Sequence, residues 1–262
     1  MSQTEMLEAE NAFKATLGSD EILLGFWSSL ASPLLAEIVA ENKSFQWILF
    51  DTEHAPNDVQ TLLGQLQAIR FSGVPAVVRP VQNHPVEIKR LLDIGFRSLL
   101  IPSVDSAQQA KDAVRATRYP PYGIRGASAY HRNNGYGRIE NYFEFINDAI
   151  AVIAQIETIE AVAHLEEIGS VEGVNALFVG PGDLAASLGY LGQVRAPAVQ
   201  DIIKKIGERA RKCGFKLGIA AGTMDDVARY REWGYSVFAV SSDVLLFRRA
   251  VEGLAESFAR FK

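Results

Sequence analysis

WILFDTEHAP, residues 47–56, opens as a buried strand and then changes character. Trp47-Ile48-Leu49-Phe50 is an unbroken apolar run; Asp51, Glu53 and His54 follow at once, and Pro56 closes the stretch. Strand ends are often polar, and Pro56 can simply mark the turn before a helix. The alternative is that a catalytic group leaves the core at the strand exit. The same unit, a short apolar run followed by a segment of helical period, recurs along the chain, and that recurrence decides the fold.

Apolar β-rich runs occupy 22–27, 47–51, 75–79, 98–103, 151–156, 176–180, 217–220 and 236–241. Their continuity predicts parallel strands buried on both faces. Helical segments occupy 32–42, 58–71, 85–94, 106–118, 159–168, 196–213, 223–233 and 243–260. Several open on a cap, such as Ser32-Pro33 or Thr223, and several close on a glycine, such as Gly95, Gly214 or Gly234. Eight strands, each followed by a helix, predict the α/β class and a (β/α)₈ TIM barrel, one domain over residues 1–262. An open doubly wound sheet is the alternative, but no Gly-x-Gly-x-x-Gly follows the first strand. Residues 119–148, a Gly/Tyr/Arg/Asn-rich stretch between the fourth and fifth strands, break the spacing. Loops of that length are usually functional or mobile.

The composition of the 262 residues is that of an ordinary globular protein, 48% apolar and 22% charged. A net charge of −5 gives no reason to expect nucleic acid or an anionic membrane as partner. The single cysteine, Cys213, excludes an internal disulfide framework and suits a reducing cytoplasm. The N-terminal stretch is acidic and polar, unlike a signal peptide, and no apolar run is long enough to span a bilayer.

In a barrel the strand C-termini converge on the face that carries chemistry. The exits hold Asp51, Glu53 and His54 after the second strand, Arg79 after the third, and Pro102 and Ser103 after the fourth. Gln155 and Glu157 leave the fifth, Asp183 follows Gly180-Pro181-Gly182 on the sixth, and Ser241, Ser242 and Asp243 end the eighth. Glu157 and Asp183 leave neighbouring strands and can make a hard-cation site; equally, each can be a first-turn or capping acid of a helix. Arg79 ends an all-apolar strand and needs an anion, either a structural partner such as Asp51 or Glu53, or a developing oxyanion. His54 can act as acid or base near neutral pH, or be a plain surface histidine. Asp93 can orient it, or be a polar residue in a last helical turn. His131, in the 119–148 segment, is placed to meet substrate, and His164 is expected mid-helix and solvated.

The motifs FDTEHAPND, VVRP, LLDIG, ATRYPPYGIRG, QIET and VGPGDLAASLG occur in this order and resemble the metal-dependent pyruvate aldolases of the HpcH/HpaI family. The resemblance spans nearly the whole chain after about residue 10. It implies a class II aldolase that cleaves a 4-hydroxy-2-oxo acid to pyruvate and an aldehyde, as do relatives acting on 2-keto-3-deoxy sugar acids. It implies that Glu157 and Asp183 hold a divalent metal, Mg²⁺ or Mn²⁺ with Co²⁺ as a further candidate, and that Gln155 helps place pyruvate. Arg79 would stabilise the enolate, and His54, with Asp93 as its partner, would handle the proton at the aldehyde oxygen. Asp51 and Glu53 would support them, and the amides of Gly182 and Asp183 would take the pyruvate carboxylate. The family is typically hexameric, its last helix packing on a neighbouring subunit. The closing stretch fits that role, since Leu245, Leu246, Phe247, Ala250, Val251, Leu254, Phe258 and Phe261 exceed one helical stripe.

Three competitors remain open on residues alone. A Schiff-base aldolase needs a lysine within a strand's C-terminal half, and none of the lysines falls there. An acyl-CoA lyase of malyl-CoA type would want a basic groove, for which Arg125, Arg132 and Arg138 are the candidates. A non-catalytic keto-acid-binding barrel would not need Arg79, His54, Glu157 and Asp183 together.

Overall fold

Every residue of β2 (Trp47–Asp51) is buried, as in a parallel strand covered on both faces. It belongs to a closed barrel with β1 (Leu23–Ser28), β3 (Ala76–Arg79), β4 (Ser98–Ile101), β5 (Ala151–Ile156), β6 (Val174–Val179), β7 (Leu217–Ala220) and β8 (Val237–Ser242). The strands pair in chain order, all parallel, and β8 returns to β1. The computed structural model describes residues 11–261.

The helices are α1 (Ala12–Leu17), α2 (Pro33–Ala40), α3 (Val59–Ala68), α4 (Pro85–Asp93), α5 (Ala107–Thr117) and α6 (Tyr142–Phe145). After β5 come α7 (Ile159–Ala163), α8 (Leu165–Gly169), α9 (Pro181–Ser187), α10 (Pro197–Cys213), α11 (Met224–Glu232) and α12 (Asp243–Phe258). Their ends follow the local chemistry. Ser32 accepts from the Leu35 amide ahead of Pro33, and Thr223 accepts from the Asp226 amide. Gly214 closes α10 at φ +72°, a conformation that costs a residue with a Cβ.

Side-chain alternation along the strands builds two shells. Outward residues such as Ile48, Phe50, Val78, Leu99, Ile156 and Leu177 pack against the helices. Inward residues such as Leu23, Trp47, Leu49, Val77, Ile153 and Phe178 fill the barrel, and Phe13 and Leu17 of α1 join that inner cluster. Trp47 fits because Gly25 has no side chain; a Cβ there would stand 1.9 Å from the indole. Each fully buried large side chain stabilises the fold by roughly 1.5–3 kcal/mol. The same period of two carries Asp51, Arg79 and Gln155 inward at the top of their strands.

Two expectations fail. The helix expected over 159–168 is broken at His164, whose φ of −98° and ψ of 19° divide α7 from α8. His164 is half-buried, its Nδ1 3.0 Å from the Asp105 carbonyl, rather than solvated in mid-helix. The second concerns residues 119–148. They follow the descending helix α5 and precede β5, so they lie at the N-terminal end of the barrel. Asn133 donates to the carbonyls of Leu92 (2.7 Å) and Phe96 (3.2 Å), between α4 and β4. His131 therefore does not meet substrate at its own chain's strand C-termini.

Candidate active site

Asp51 and Arg79 are register partners at the ends of β2 and β3. Arg79, buried, donates from Nε to Asp51 Oδ1 (2.8 Å) and from Nη2 to Asp51 Oδ2 (2.7 Å). Its guanidinium lies 4.8 Å from the centre of the Trp27 ring, and Trp27 Nε1 donates to Asp51 Oδ2 (3.2 Å). Nη1 stands 2.8 Å from Glu53 Oε2 as an ion pair without hydrogen-bond alignment, so that oxygen keeps its acceptor capacity. The structural partners of Arg79 are therefore real, and they also fix its fork. Burial alone would raise the Asp51 carboxyl, but the hydrogen bonds and charge of Arg79 outweigh it and hold Asp51 below the usual carboxylate range. For Glu53 burial wins over Arg79, and repulsion from Glu157 adds to it, so its carboxyl is pushed up.

Glu157, just past β5, is buried, and burial pushes its carboxyl up. Its Oε1 accepts from the Ser103 amide (2.7 Å) and Ser103 Oγ (3.2 Å), which hold the charge, while repulsion from Asp183 opposes it. Gln155 Nε2 donates to Glu157 Oε2, leaving Gln155 Oε1 buried with no partner. Gly180 makes this crowding possible, since a Cβ would come within 2.7 Å of Glu157 Oε2. Asp183 is exposed on the first turn of α9, a helix whose N-terminus has no side-chain cap. The amides of Gly182 and Asp183 are thus available to an anion.

Among the described residues no group of three or more His, Cys, Asp or Glu forms a ready metal cluster. The oxygens present nonetheless suit a hard cation. Glu157 and Asp183 repel each other, and Gln155 Oε1 and Glu53 Oε2 are acceptors without a hydrogen bond.

His54 is 64% exposed at its side chain, with Nε2 3.8 Å from Glu53 Oε2. Its loop is braced by Asn57 Nδ2, which donates to the Asp51 carbonyl (2.8 Å), and by Gln65, which donates to Asn57 (2.6 Å). Asp93 is not beside it. Asp93 ends α4, which runs down from the strand C-termini, and it pairs with Arg125 Nη2 (2.8 Å) with His131 Nε2 at 3.9 Å. A His54–Asp93 dyad within one chain is thus corrected by the direction of α4. Arg125, Arg132 and Arg138 also belong to that lower end, so they do not build a nucleotide groove over their own chain's strand C-termini. No lysine lies in any of the eight strands.

Sequence reasoning missed Trp27 and the part played by Ser103. Trp27 follows the strand alternation and was legible as an inward aromatic. The left-handed backbone of Ser103 (φ +54°), which turns its amide onto Glu157, has no sequence signal. Asp243, noted only as a strand-end residue, accepts from the Ser29 (2.9 Å) and Leu30 (3.0 Å) amides and fixes the β1 exit.

Fold and site together define a class, the (β/α)₈ barrels that gather a fixed guanidinium and buried oxygens without hydrogen bonds at their strand C-termini. Residues 23–250 match the model of the HpcH/HpaI aldolase/citrate lyase family, and the chain belongs to that family. It is 46% identical over 250 residues to a 5-keto-4-deoxy-D-glucarate aldolase of Klebsiella pneumoniae, covering 95% of this chain and 97% of that one. A solved HpcH/HpaI aldolase/citrate lyase family protein of Burkholderia cenocepacia superposes with a TM-score of 0.89 at 39% identity, covering 94% of this chain and 99% of that one. An HpcH/HpaI aldolase of Desulfitobacterium hafniense gives 0.84 at 29% identity, with 94% and 96% covered. The chain is an enzyme of the aldolase class, a carbon–carbon lyase.

Proposed function

We propose that the chain is a divalent-metal-dependent aldolase that reversibly cleaves 5-keto-4-deoxy-D-glucarate, or a closely similar 4-hydroxy-2-oxo acid, to pyruvate and an aldehyde. The observation that carries this reading is the clamped Arg79 within electrostatic reach of Glu157, itself opposed by Asp183. The identity to the glucarate aldolase over nearly the whole chain supports the substrate class. Cleavage of that substrate breaks the bond between the methylene beside the keto group and the adjacent hydroxyl-bearing carbon. One fragment is pyruvate and the other is an aldehyde that keeps the second carboxylate.

Glu157 and Asp183 would hold the cation, with Gln155 Oε1 beside it, and when bound it would polarise the substrate's keto oxygen. Arg79 stabilises the negative charge that gathers on that oxygen as the bond breaks. Asp51 and Glu53 keep its fork in place, and the first-turn amides of α9 hold the pyruvate carboxylate. His54 takes the hydroxyl proton in cleavage and returns one to the aldehyde oxygen in addition, and the enolate left by cleavage takes a proton at its methylene carbon from water to leave as pyruvate. Asp93 can join it only from a second copy of the chain, because α4 carries Asp93 to the other end of its own barrel.

A second copy is part of the proposal. From Phe247 onward every described residue of α12 is exposed, including Phe247, Val251, Leu254 and Phe258. Such an apolar helix is suited to packing on a neighbour in a homo-oligomer, a hexamer on the family pattern. Light scattering is expected to show an oligomer at micromolar concentration, and a monomer would contradict it. No helix among the described residues is long and apolar enough to cross a membrane. We place the enzyme, one barrel domain with a lone thiol at Cys213, in the cytoplasm.

The test is pyruvate release from 5-keto-4-deoxy-D-glucarate, with Mg²⁺ or Mn²⁺ and after exhaustive dialysis against EDTA. Metal-dependent release is expected. Full activity after chelation would contradict the reading, as would borohydride trapping of pyruvate on a lysine.

A further inference from the structure

The lower end of the barrel holds a groove of about 800 Å³ with no carboxylate among its described lining residues. Arg70 reaches it from just beyond α3, Arg97 from the start of β4, and Arg132, Tyr136 and Arg138 from the 119–148 segment. Arg70, Arg132 and Arg138 form no ion pair with any described residue. Arg132 is locked rather than loose. Its Nη1 donates to the Ile94 carbonyl (2.8 Å) and fills the space above Gly95, where a Cβ would stand 2.3 Å from it. Burial and the neighbouring charge of Arg70 both hold its proton affinity below the usual arginine range, against the pull of Tyr136. Among the described residues Arg138 hydrogen-bonds only the Gly135 carbonyl (3.3 Å), and Arg70 lies over the ring of the exposed Phe71. In a chain of net charge −5, Arg70, Arg132 and Arg138, none paired with a described acid, make a local excess of positive charge in one groove.

We propose that this groove binds a small, multiply charged anion whose charges are borne on phosphate or carboxylate groups. A singly charged ion would leave the arginines repelling one another, whereas several charges on one small molecule relieve them together. Guanidinium forks pair two-pronged with both kinds of oxyanion, and the Tyr136 hydroxyl adds a donor beside them. These three arginines, with no acid among the described lining residues, argue against a cation. The groove is separate from the Arg79 site of its own chain, because its residues come from the helix ends and strand starts at the opposite end of the barrel.

Isothermal titration of the full chain, freed of divalent metal, with inorganic tripolyphosphate and separately with citrate tests this without interference from chelation. A single anion per chain is expected, weakened by added salt. Arg70→Ala/Arg138→Ala, which alters exposed side chains only, is expected to weaken it about ten-fold or more. Arg79→Lys is expected to bind like wild type. Preference for tripolyphosphate would identify a phosphate-bearing ligand, and preference for citrate a polycarboxylate. Failure of both probes to bind overturns the proposal, as does equal binding by the double variant. A double variant that changes sedimentation, with a wild type that ignores both probes, also overturns it and makes the groove a subunit contact. Cleavage of the glucarate substrate is read separately, so either proposal can fail without the other.

Discussion

Arg79 and Arg125 are both buried guanidiniums paired with an aspartate, one at each end of the barrel. Their surroundings differ in what is left over. Around Arg79 the surplus is of acceptors: Glu53 Oε2 and Gln155 Oε1 lack hydrogen bonds, and burial pushes Glu53 and Glu157 up, with repulsion from Glu157 added at the first and from Asp183 at the second. Around Arg125 the surplus is of donors, Nε and Nη1, and the Tyr119 ring 4.5 Å from the guanidinium covers them. His131 beside it is lowered by its burial and by Arg125, against Asp93, and so favours the neutral form. A surplus of buried acceptors suits a cation and a substrate, whereas a guanidinium faced by an aromatic ring holds Asp93 in place.

The contrast can be broken by substitution. The largest effect is expected from His54→Ala, which should slow substrate cleavage by roughly 10²–10⁴ while the fold survives, because the side chain is exposed. Steady-state pyruvate release reads it, and an unchanged rate would reduce His54 to a surface residue. Next comes a pair of opposite sign in metal-free protein. Asp51→Asn breaks a buried two-pronged ion pair and should cost about 3 kcal/mol in urea unfolding at neutral pH. The depressed Asp51 contributes stability at neutral pH that is lost as pH falls through its lowered value. Glu157, raised, acts the other way: it is accommodated while neutral and removes stability once pH rises through its raised value. Glu157→Gln should therefore stabilise the metal-free protein at neutral pH and remove that pH dependence, Gln155 flipping to offer its free Oε1. A destabilised Glu157→Gln would place Glu157 with the structural pairs. The smallest effect is expected at Gly182, where an added Cβ meets nothing within 4 Å; Gly182→Ala should change stability by no more than about 0.5 kcal/mol and leave KM for the substrate nearly unchanged.

The upper end was the legible one. Once Trp47 and Leu49 are read as inward, alternation carries Asp51 inward too, and β3 and β5 deliver Arg79 and Gln155 in the same way. All eight strands follow from their continuous apolar runs, although β4 stops at Ile101, short of the expected Ser103, because Pro102 lacks an amide and Ser103 turns left-handed. The lower end was not legible. Nothing in the spacing of Asp93 and His54 says that a helix running back along the barrel separates them. The 119–148 segment carries no period from which the contacts of Asn133 with the α4–β4 turn could be read.

The central claim is that the upper end makes and holds the enolate of pyruvate. Pyruvate in deuterated buffer with Mg²⁺ and the enzyme, without any aldehyde, tests it through the methyl signal in proton NMR. Wild type is expected to exchange the methyl protons, and Arg79→Ala to slow the exchange by roughly 10²–10³, as loss of one preorganised oxyanion donor does. Arg79→Lys should restore little, since a point charge does not reproduce the fork held by Asp51 and Glu53. Exchange in Arg79→Ala at the wild-type rate would contradict the account and leave Asp51–Arg79 as a salt bridge that only closes the top of the barrel.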